Sequence, residues 1–494
     1  MLLSEKIRAN ENTKTKIYIA FTSSGIQDAA KIYPKYHPDA KIMTNEEILQ
    51  AVKEKCKNIE FIVSKTRYQR KIIRNIKKQK ENIDGILFFG TPTEDLTSIG
   101  LPVVAVHPLW GQWEYPFFSA SKEAKVVKTV LPVIPDKDKN FYLSRIEDIV
   151  SKIRLIQAIS KMKGLRVLVV TDMPILGFYE PETFQVALRK KERQKYERQY
   201  LKNLEETFGT VLVPIPQKEL FEGIEEVDQD EAEKIAQKWI NEAEGIKGTN
   251  KFQIVSSAKL YLTMKKLMEK YNTQAITTEG YCNFQPAGEG CGILNGYPEG
   301  IPSQGLPSTQ ILSENIVATS ETLIDSLLTQ QLGLFFADKA GFNGDFMVDP
   351  ASGTITIGHC EADPDPYGKN KNAPYIIRNL PHWEENKGGA CVQVNLPLGE
   401  KVTVAKISMH DKKICVFTGE TINGEDYYKH WEDIICRTKL MIKTNASAIA
   451  ENINGKAFGN HRVAFYGDLR EQFKDLAKLI GFEIIEADKN GTKQ

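Results

Sequence analysis

The feature that most constrains this chain is a change of hydrophobic rhythm near residue 350. Before it, apolar β-branched runs occupy 17–21, 61–63, 85–89 and 103–106, with charged stretches of helical character between several of them, such as Asn45–Lys55 and Tyr68–Asn82. Strands that are apolar at every position are buried on both faces, the situation of parallel strands joined by crossing helices, so this region predicts βαβ units. After residue 350 the runs at 354–358, 391–396, 401–407 and 413–419 alternate with short polar turns. Strands of period two joined by short loops predict an antiparallel sheet or barrel.

A second βα-like block opens at 166–172, after a long amphipathic helix over about 142–162. It continues through a strand at 210–215, helices near 227–244 and 255–270, and a strand at 274–280. A chain of 494 residues exceeds what one hydrophobic core ordinarily serves. The expected architecture is therefore α/β, with two Rossmann-like doubly wound domains followed by a β-rich, antiparallel barrel-like domain. The boundaries are placed at 1–162, 163–345 and 346–494. A last helix, Asp468–Ile480, should end at Gly481, as a C-terminal glycine cap does. The segment 22–25 after the first strand can cap a helix or hold an anion, but it is not GxGxxG and gives no warrant for a dinucleotide.

Charge narrows the function. Lys+Arg total 65 against Asp+Glu 64, a formal charge of +1, so no global field favours nucleic acid or an anionic membrane. The basic stretch Arg189–Arg198 is expected to be a solvated helix face. No apolar run approaches the ~20 residues that span a bilayer, and the N-terminus lacks the apolar core of a signal peptide. A cytoplasmic, soluble protein is expected. Seven cysteines, at 56, 282, 291, 360, 391, 415 and 436, form no CxxC pair, which argues against a zinc ribbon or thioredoxin-type site. They are expected to be buried thiols, with Cys360 set apart because it adjoins His359.

Three segments contain ligand-type residues at the ends of predicted elements: Val317–Glu321, Phe335–Asp338 and Gly459–His461. Asn315–Leu332 is expected to be a helix ended by Gly333, with 334–337 a strand and Asp338 at its tip. Glu321 on such an apolar helix would have to be paired, protonated or bound to metal, because an isolated buried charge is costly. Two carboxylates and an imidazole suit Mn²⁺ or Mg²⁺ better than the thiolate sets that select zinc. Each residue alone also fits a bland role: a surface Glu, a loop-starting Asp, a packed His.

The motif VATSE, an apolar helix and then FFAD resembles the metal-binding pair of the L-fucose isomerase family. The GNH segment followed by an aromatic–glycine step and a helix is similar to that family's C-terminal histidine segment, and L-arabinose isomerases have a comparable one. The specific likeness covers about 311–340 and 457–486; elsewhere only the three-domain order matches. The resemblance implies a metal-dependent aldose–ketose isomerase and a homo-oligomer, trimer or hexamer. Glu321, Asp338 and His461 would hold Mn²⁺ (Mg²⁺ or Co²⁺ being alternatives). Glu321 and Asp338 would move a proton through a cis-enediol, with the metal polarising the sugar oxygens.

This chain departs from the pattern in two places. The Glu321–Asp338 spacing is short, and 358–363 adds a polar cluster in which His359 serves as a ligand, contacts substrate hydroxyls or pairs with an acid. Further substrate-binding candidates are Glu279 at a strand end, Asn460 beside His461, and Trp110 in the aromatic loop 107–115. That loop suits either sugar stacking or subunit packing. Trp383 and Trp431 are open in the same way. Two alternative functions stand beside the isomerase: another metal-dependent carbohydrate enzyme (an aldolase or hydrolase) and a non-catalytic cytosolic sugar-binding regulator.

Overall fold

A computed structural model of the chain describes residues 14–22, 43–107, 125–131, 139–172, 175, 190–279, 281–283, 289–293, 304–368, 372–380, 390–430, 435–453 and 455–491. Trp110, Trp383, Trp431, most of the aromatic loop and the end of the 22–25 segment lie outside them. The structure is a mixed α/β arrangement of parallel sheets with a closed antiparallel barrel. Two compact units make it up: residues 1–161 with 471–483, and residues 162–470 with 484–494.

In the first unit, Thr15–Phe21 (β1), Ile59–Val63 (β2), Gly85–Phe89 (β3), Val103–His107 (β4) and Val126–Val130 (β5) form an all-parallel sheet in the order β2-β1-β3-β4-β5. β3 is buried at every position, as its uninterrupted apolar run requires. Helix Asn45–Lys55 starts where Thr44 and Glu47 satisfy each other's backbone N–H groups in a capping box. Helix Gln69–Lys78 is almost wholly basic outside, yet buries Ile72, Ile73 and Ile76 as one stripe. The unit also takes in most of the C-terminal helix Arg470–Ile480, tied by Lys152 Nζ to Asp475 Oδ2 at 2.6 Å and by Lys125 N–H donating to Lys478 O.

The second unit holds two further sheets and the barrel. Arg166–Val170 (β6), Val211–Ile215 (β7), Gly245–Lys247 (β8), Ala275–Thr278 (β9), Tyr281–Asn283 (β10), Glu289–Ile293 (β11) and Ala318–Thr319 (β12) come first along the chain. The parallel sheet has the order β7-β6-β9-β12, so its strands run second, first, third, fourth, the same winding as the first four strands of the other unit. β10 and β11 form a separate hairpin.

The barrel is built from Phe342–Asp349 (β13), Thr354–His359 (β14), Lys401–Ser408 (β17), Lys413–Ile422 (β18), Thr438–Lys443 (β19) and His461–Tyr466 (β20). Tyr375–Arg378 (β15) and Cys391–Val394 (β16) fall between them in sequence. The six strands pair in the order β17-β20-β13-β14-β19-β18, and β18 pairs back to β17, closing the cylinder and leaving no free edge among them. Glu483–Glu486 (β21) adds to β18 outside the ring. Ile355, Ile357, Val402, Val404, Phe417, Leu440 and Ala464 are part of its core.

Two sequence expectations fail here. The run 391–396 is an antiparallel strand, as its pattern allows, but not one of the barrel: β16 pairs antiparallel with β15, which pairs in parallel with β8 from the middle of the chain. Period-two alternation specifies a half-covered strand, not which sheet receives it. The second failure concerns 315–337, where the helix runs Ile324–Ala337 and no strand follows before Asp338. Gly333 lies inside this helix rather than at its end, because a Cβ there would collide with the ring of Phe465 on β20. It is a close-approach residue that lets the helix lie on β17 and β20. Among the described residues no helix is long and apolar enough to cross a membrane.

Candidate metal centre

Glu321 stands at the carboxyl end of β12, in a turn rather than on a helix. Glu321 and Thr322 both take left-handed backbone, with φ of 65° and 49°. That region is sparsely used by residues other than glycine and strained for a β-branched one. The turn is held from both sides: Thr322 N–H donates to Thr278 O at 3.0 Å, and Ser320 N–H donates to Glu361 Oε1 at 3.2 Å. Its product is a carboxylate only 2% exposed. Such strain persists where the surroundings over-determine it, which happens most often at functional sites.

The barrel supplies the partners through strand register. His461 opens β20 directly opposite Asp345 on β13, and Asp345 lies opposite Gly358 on β14, the residue before His359. His359 Nε2 lies 3.9 Å from Glu321 Oε1, and His461 Nε2 lies 3.6 Å from Glu321 Oε2. The two imidazole rings meet edge to face, with centroids 5.2 Å apart. Among the described residues, Glu321, His359 and His461 form the one group whose ligand atoms all lie within 4.8 Å of one another. All three are buried. Asp345 Oδ1 comes within 3.8 Å of His461 Nε2, and its side chain is 38% exposed, so solvent reaches the cluster from that side.

The His461 nitrogens are in the state a metal needs. Burial first, then the charges of His359, Lys406 and Arg462, hold His461 well below the usual histidine range, so its ring is neutral and keeps a lone pair. Both ring nitrogens of His461 are buried and make no hydrogen bond to any described residue, which is costly for a polar group unless a ligand occupies it. Behind His359, Glu361 N–H donates to Nδ1 at 3.3 Å and the Glu361 carboxylate stands 3.8 Å from the same nitrogen. Glu361 thus ties the strained turn to His359, through its carboxylate on Ser320 N–H and its own N–H on the imidazole. Arg462 fixes the other side, donating from Nη1 to the carbonyls of Phe458, Gly459 and His461. One carboxylate and two imidazoles form a ligand set of the kind that can hold a divalent transition-metal ion.

The expected site residues divide clearly. Glu321, His461 and His359 come together; Asp338 does not join them. It is the exposed C-terminal cap of the helix Ile324–Ala337, with φ of 57°, and its backbone packs against Gly368. Glu279 is buried at the carboxyl end of β9, accepting from Thr171 Oγ1 and Asp172 N–H at 2.8 Å, while its Oε1 has no hydrogen-bond partner. Asn460 is exposed, and its carbonyl accepts from Phe346 N–H. Trp110 is outside the described residues. Sequence reasoning misses Asp345; the acid it allows beside His359 is Glu361. Only register places Asp345 opposite His461, whereas Glu361 lies inside the 358–363 cluster, where His359 is the more conspicuous ligand type.

No family model matches the chain, and no curated protein matches it. Among solved structures, it is similar to an ABC transporter solute-binding protein from Agrobacterium vitis with bound D-fucose. The identity is 10%, the match covers 64% of this chain and 89% of that one, and the TM-score is 0.14. A likeness of that size carries no argument about this chain.

Proposed function

We propose that this protein is a divalent-metal-dependent aldose–ketose isomerase, with Glu321, His359, His461 and Asp345 as its metal-facing residues. The observation that carries the reading is the buried Glu321–His359–His461 group, in which both nitrogens of a neutral His461 have no hydrogen-bond partner among the described residues. Glu321, His359 and His461 would hold a divalent ion, with Mn²⁺ the one to test, and the ion would supply Lewis-acid polarisation of the hydroxyl and carbonyl oxygens of a sugar. Glu321 and Asp345 flank the same imidazole nitrogen and are the two carboxylates available to move protons. In the isomerisation one carboxylate removes the proton on C2 of the aldose and a proton is returned at C1, while the O2 hydroxyl proton passes to O1. Glu321 is shielded from water and suits the carbon-bound proton. Asp345 is half-buried, and burial pushes its carboxyl up to about 6, which suits exchange of the hydroxyl proton. Asp338 has no part in this scheme, because it caps a helix away from the cluster. The fold reading that accompanies it is that both parallel sheets are Rossmann-like and doubly wound. Their shared 2-1-3-4 order supports the double winding, being the flavodoxin-like of the two common doubly wound orders.

The test has two parts. Metal analysis of purified protein comes first, followed by ¹H NMR of a panel of pentoses, hexoses and deoxy sugars in D₂O with Mn²⁺. Ketose formation with deuterium entering the carbon skeleton is the expected result. Absence of both across the panel, from protein that binds the ion, would remove isomerisation and leave a binding role.

A further inference from the structure

Immediately behind the cluster, three cysteines from three separate segments converge. Cys360 follows His359 at the end of β14, Cys391 begins β16, and Cys436 precedes β19. With Leu380 they form one buried contact group, at 7%, 0% and 8% exposure for Cys360, Cys391 and Cys436. Cys391 Sγ donates to Asn379 O at 3.1 Å, which fixes one of the thiols that pack against Cys360. None of the three is in a disulfide. Val392 N–H donates to Cys360 O at 3.3 Å, which holds the backbones at Cys360 and Cys391 as close as neighbouring strands. Disulfides span that separation. The three sulfurs are not a ready thiolate metal site, because the close ligand group among the described residues contains no cysteine.

We propose that Cys360 is the shared member of a redox-sensitive dithiol site, oxidised to a disulfide with one of its two flanking thiols, and that this bond governs the position of His359. With a hydroperoxide as oxidant, one thiol and one peroxide give a sulfenic acid and water. The second thiol then displaces water from that sulfur to give the disulfide. Two thiols and one H₂O₂ thus become one disulfide and two waters. Hydrogen peroxide is little larger than water, and the slight exposure of Cys360 and Cys436 provides its route. Shortening a sulfur–sulfur contact to a bond turns the Cys360 side chain and re-sets the end of β14 that carries it. His359, one residue away, is then drawn from Glu321, and the cluster loses a donor. The effect on metal affinity rests on the metal reading given above; the effect on His359 does not.

The experiment uses metal-free full-length protein treated with H₂O₂ and then freed of peroxide. Peptide mass spectrometry under non-reducing conditions should show loss of two hydrogens in a cross-linked pair containing Cys360, reversed by dithiothreitol. NMR of the imidazoles, with His359 assigned from a His359→Gln sample, should show its resonances moving on oxidation. Calorimetry with Mn²⁺ should show at least a tenfold loss of affinity, restored on reduction. The double variant Cys391→Ser/Cys436→Ser should retain reduced-state Mn²⁺ affinity after peroxide; if it fails to fold, the wild-type measurements stand without it. No Cys360-containing disulfide, or one that leaves the His359 resonances unmoved, overturns the proposal. A disulfide that moves His359 in a protein binding no Mn²⁺ in either state supports the redox site and sinks the metal reading instead.

Discussion

His461 Nε2 stands 3.6 Å from Glu321 Oε2 and 3.8 Å from Asp345 Oδ1, too far for a hydrogen bond to either. A neutral ring buried between two carboxylates without bonding to them is poorly satisfied by the protein alone. Replacing Glu321 or His461 by Gln should therefore cut Mn²⁺ affinity by at least 100-fold in calorimetry, since removing groups merely supporting a ligand costs 10–100-fold. Asp338→Asn should leave that affinity unchanged, because Asn tolerates the left-handed cap and Asp338 lies outside the cluster. In the metal-free protein, His461→Leu should be neutral or stabilising, as it removes two buried unsatisfied nitrogens. A strong stability loss in that variant would mean that the ring is structural.

The depressed titration of His461 sets the sign of a pH effect. In the unfolded chain its ring protonates near 6.5; in the folded chain it stays neutral well below that. Below pH 6.5 the unfolded state therefore holds one proton more, and metal-free stability falls as the pH drops. Each unit of pH within the window is worth about 1.4 kcal/mol for one full proton. Urea denaturation at pH 7.5 and 5.5 should show a smaller loss in His461→Gln than in wild type. Equal losses would assign the neutral ring to something other than burial.

Gly333 offers a test of packing against propensity. Alanine in mid-helix is favoured over glycine by about 1 kcal/mol, yet a Cβ here meets the Phe465 ring. Gly333→Ala should thus destabilise by about 1–3 kcal/mol, the usual cost of overpacking. Combining it with Phe465→Leu should recover more than the sum of the single changes allows. A stabilising Gly333→Ala would show that the helix can shift off β20.

These cases mark how far the sequence could be read. The apolar runs at 85–89 and 103–106 could only be doubly covered strands, and β3 and β4 lie there. Glu321 and His461 were legible because ligand-type residues in apolar surroundings need an explanation. The 315–338 region misled because Gly333 looks like a helix stop when only the facing Phe465 explains it, and because a run such as 334–336 is apolar in either period. Asp345 was invisible for a different reason. Its role depends on β13 lying between β14 and β20 in register, a long-range pairing that no local pattern encodes.

Asp363, in the same polar cluster as His359, gives the last prediction. Its carboxyl is buried, and burial first, then the charge of Asp365, push it up to about 7, against a hydrogen bond from Asp365 N–H that favours the charged form. Between pH 4 and 7 the folded state holds a proton that the unfolded state has released. The stability contributed is full below about 4 and is lost as the pH rises through 7. A carboxyl raised that far is worth roughly 4 kcal/mol at most across the window. Asp363→Asn keeps an oxygen to accept from Asp365 N–H and cannot ionise. It should match wild type near pH 4.5 and exceed it by about 1 kcal/mol or more, the scale of a buried-charge cost, at pH 8. Taking the difference between the two proteins at each pH cancels the opposing slope from His461. A difference that does not grow from pH 4.5 to 8 would show that Asp363 is ionised in the folded chain throughout, held by a cation or by water reaching the cluster.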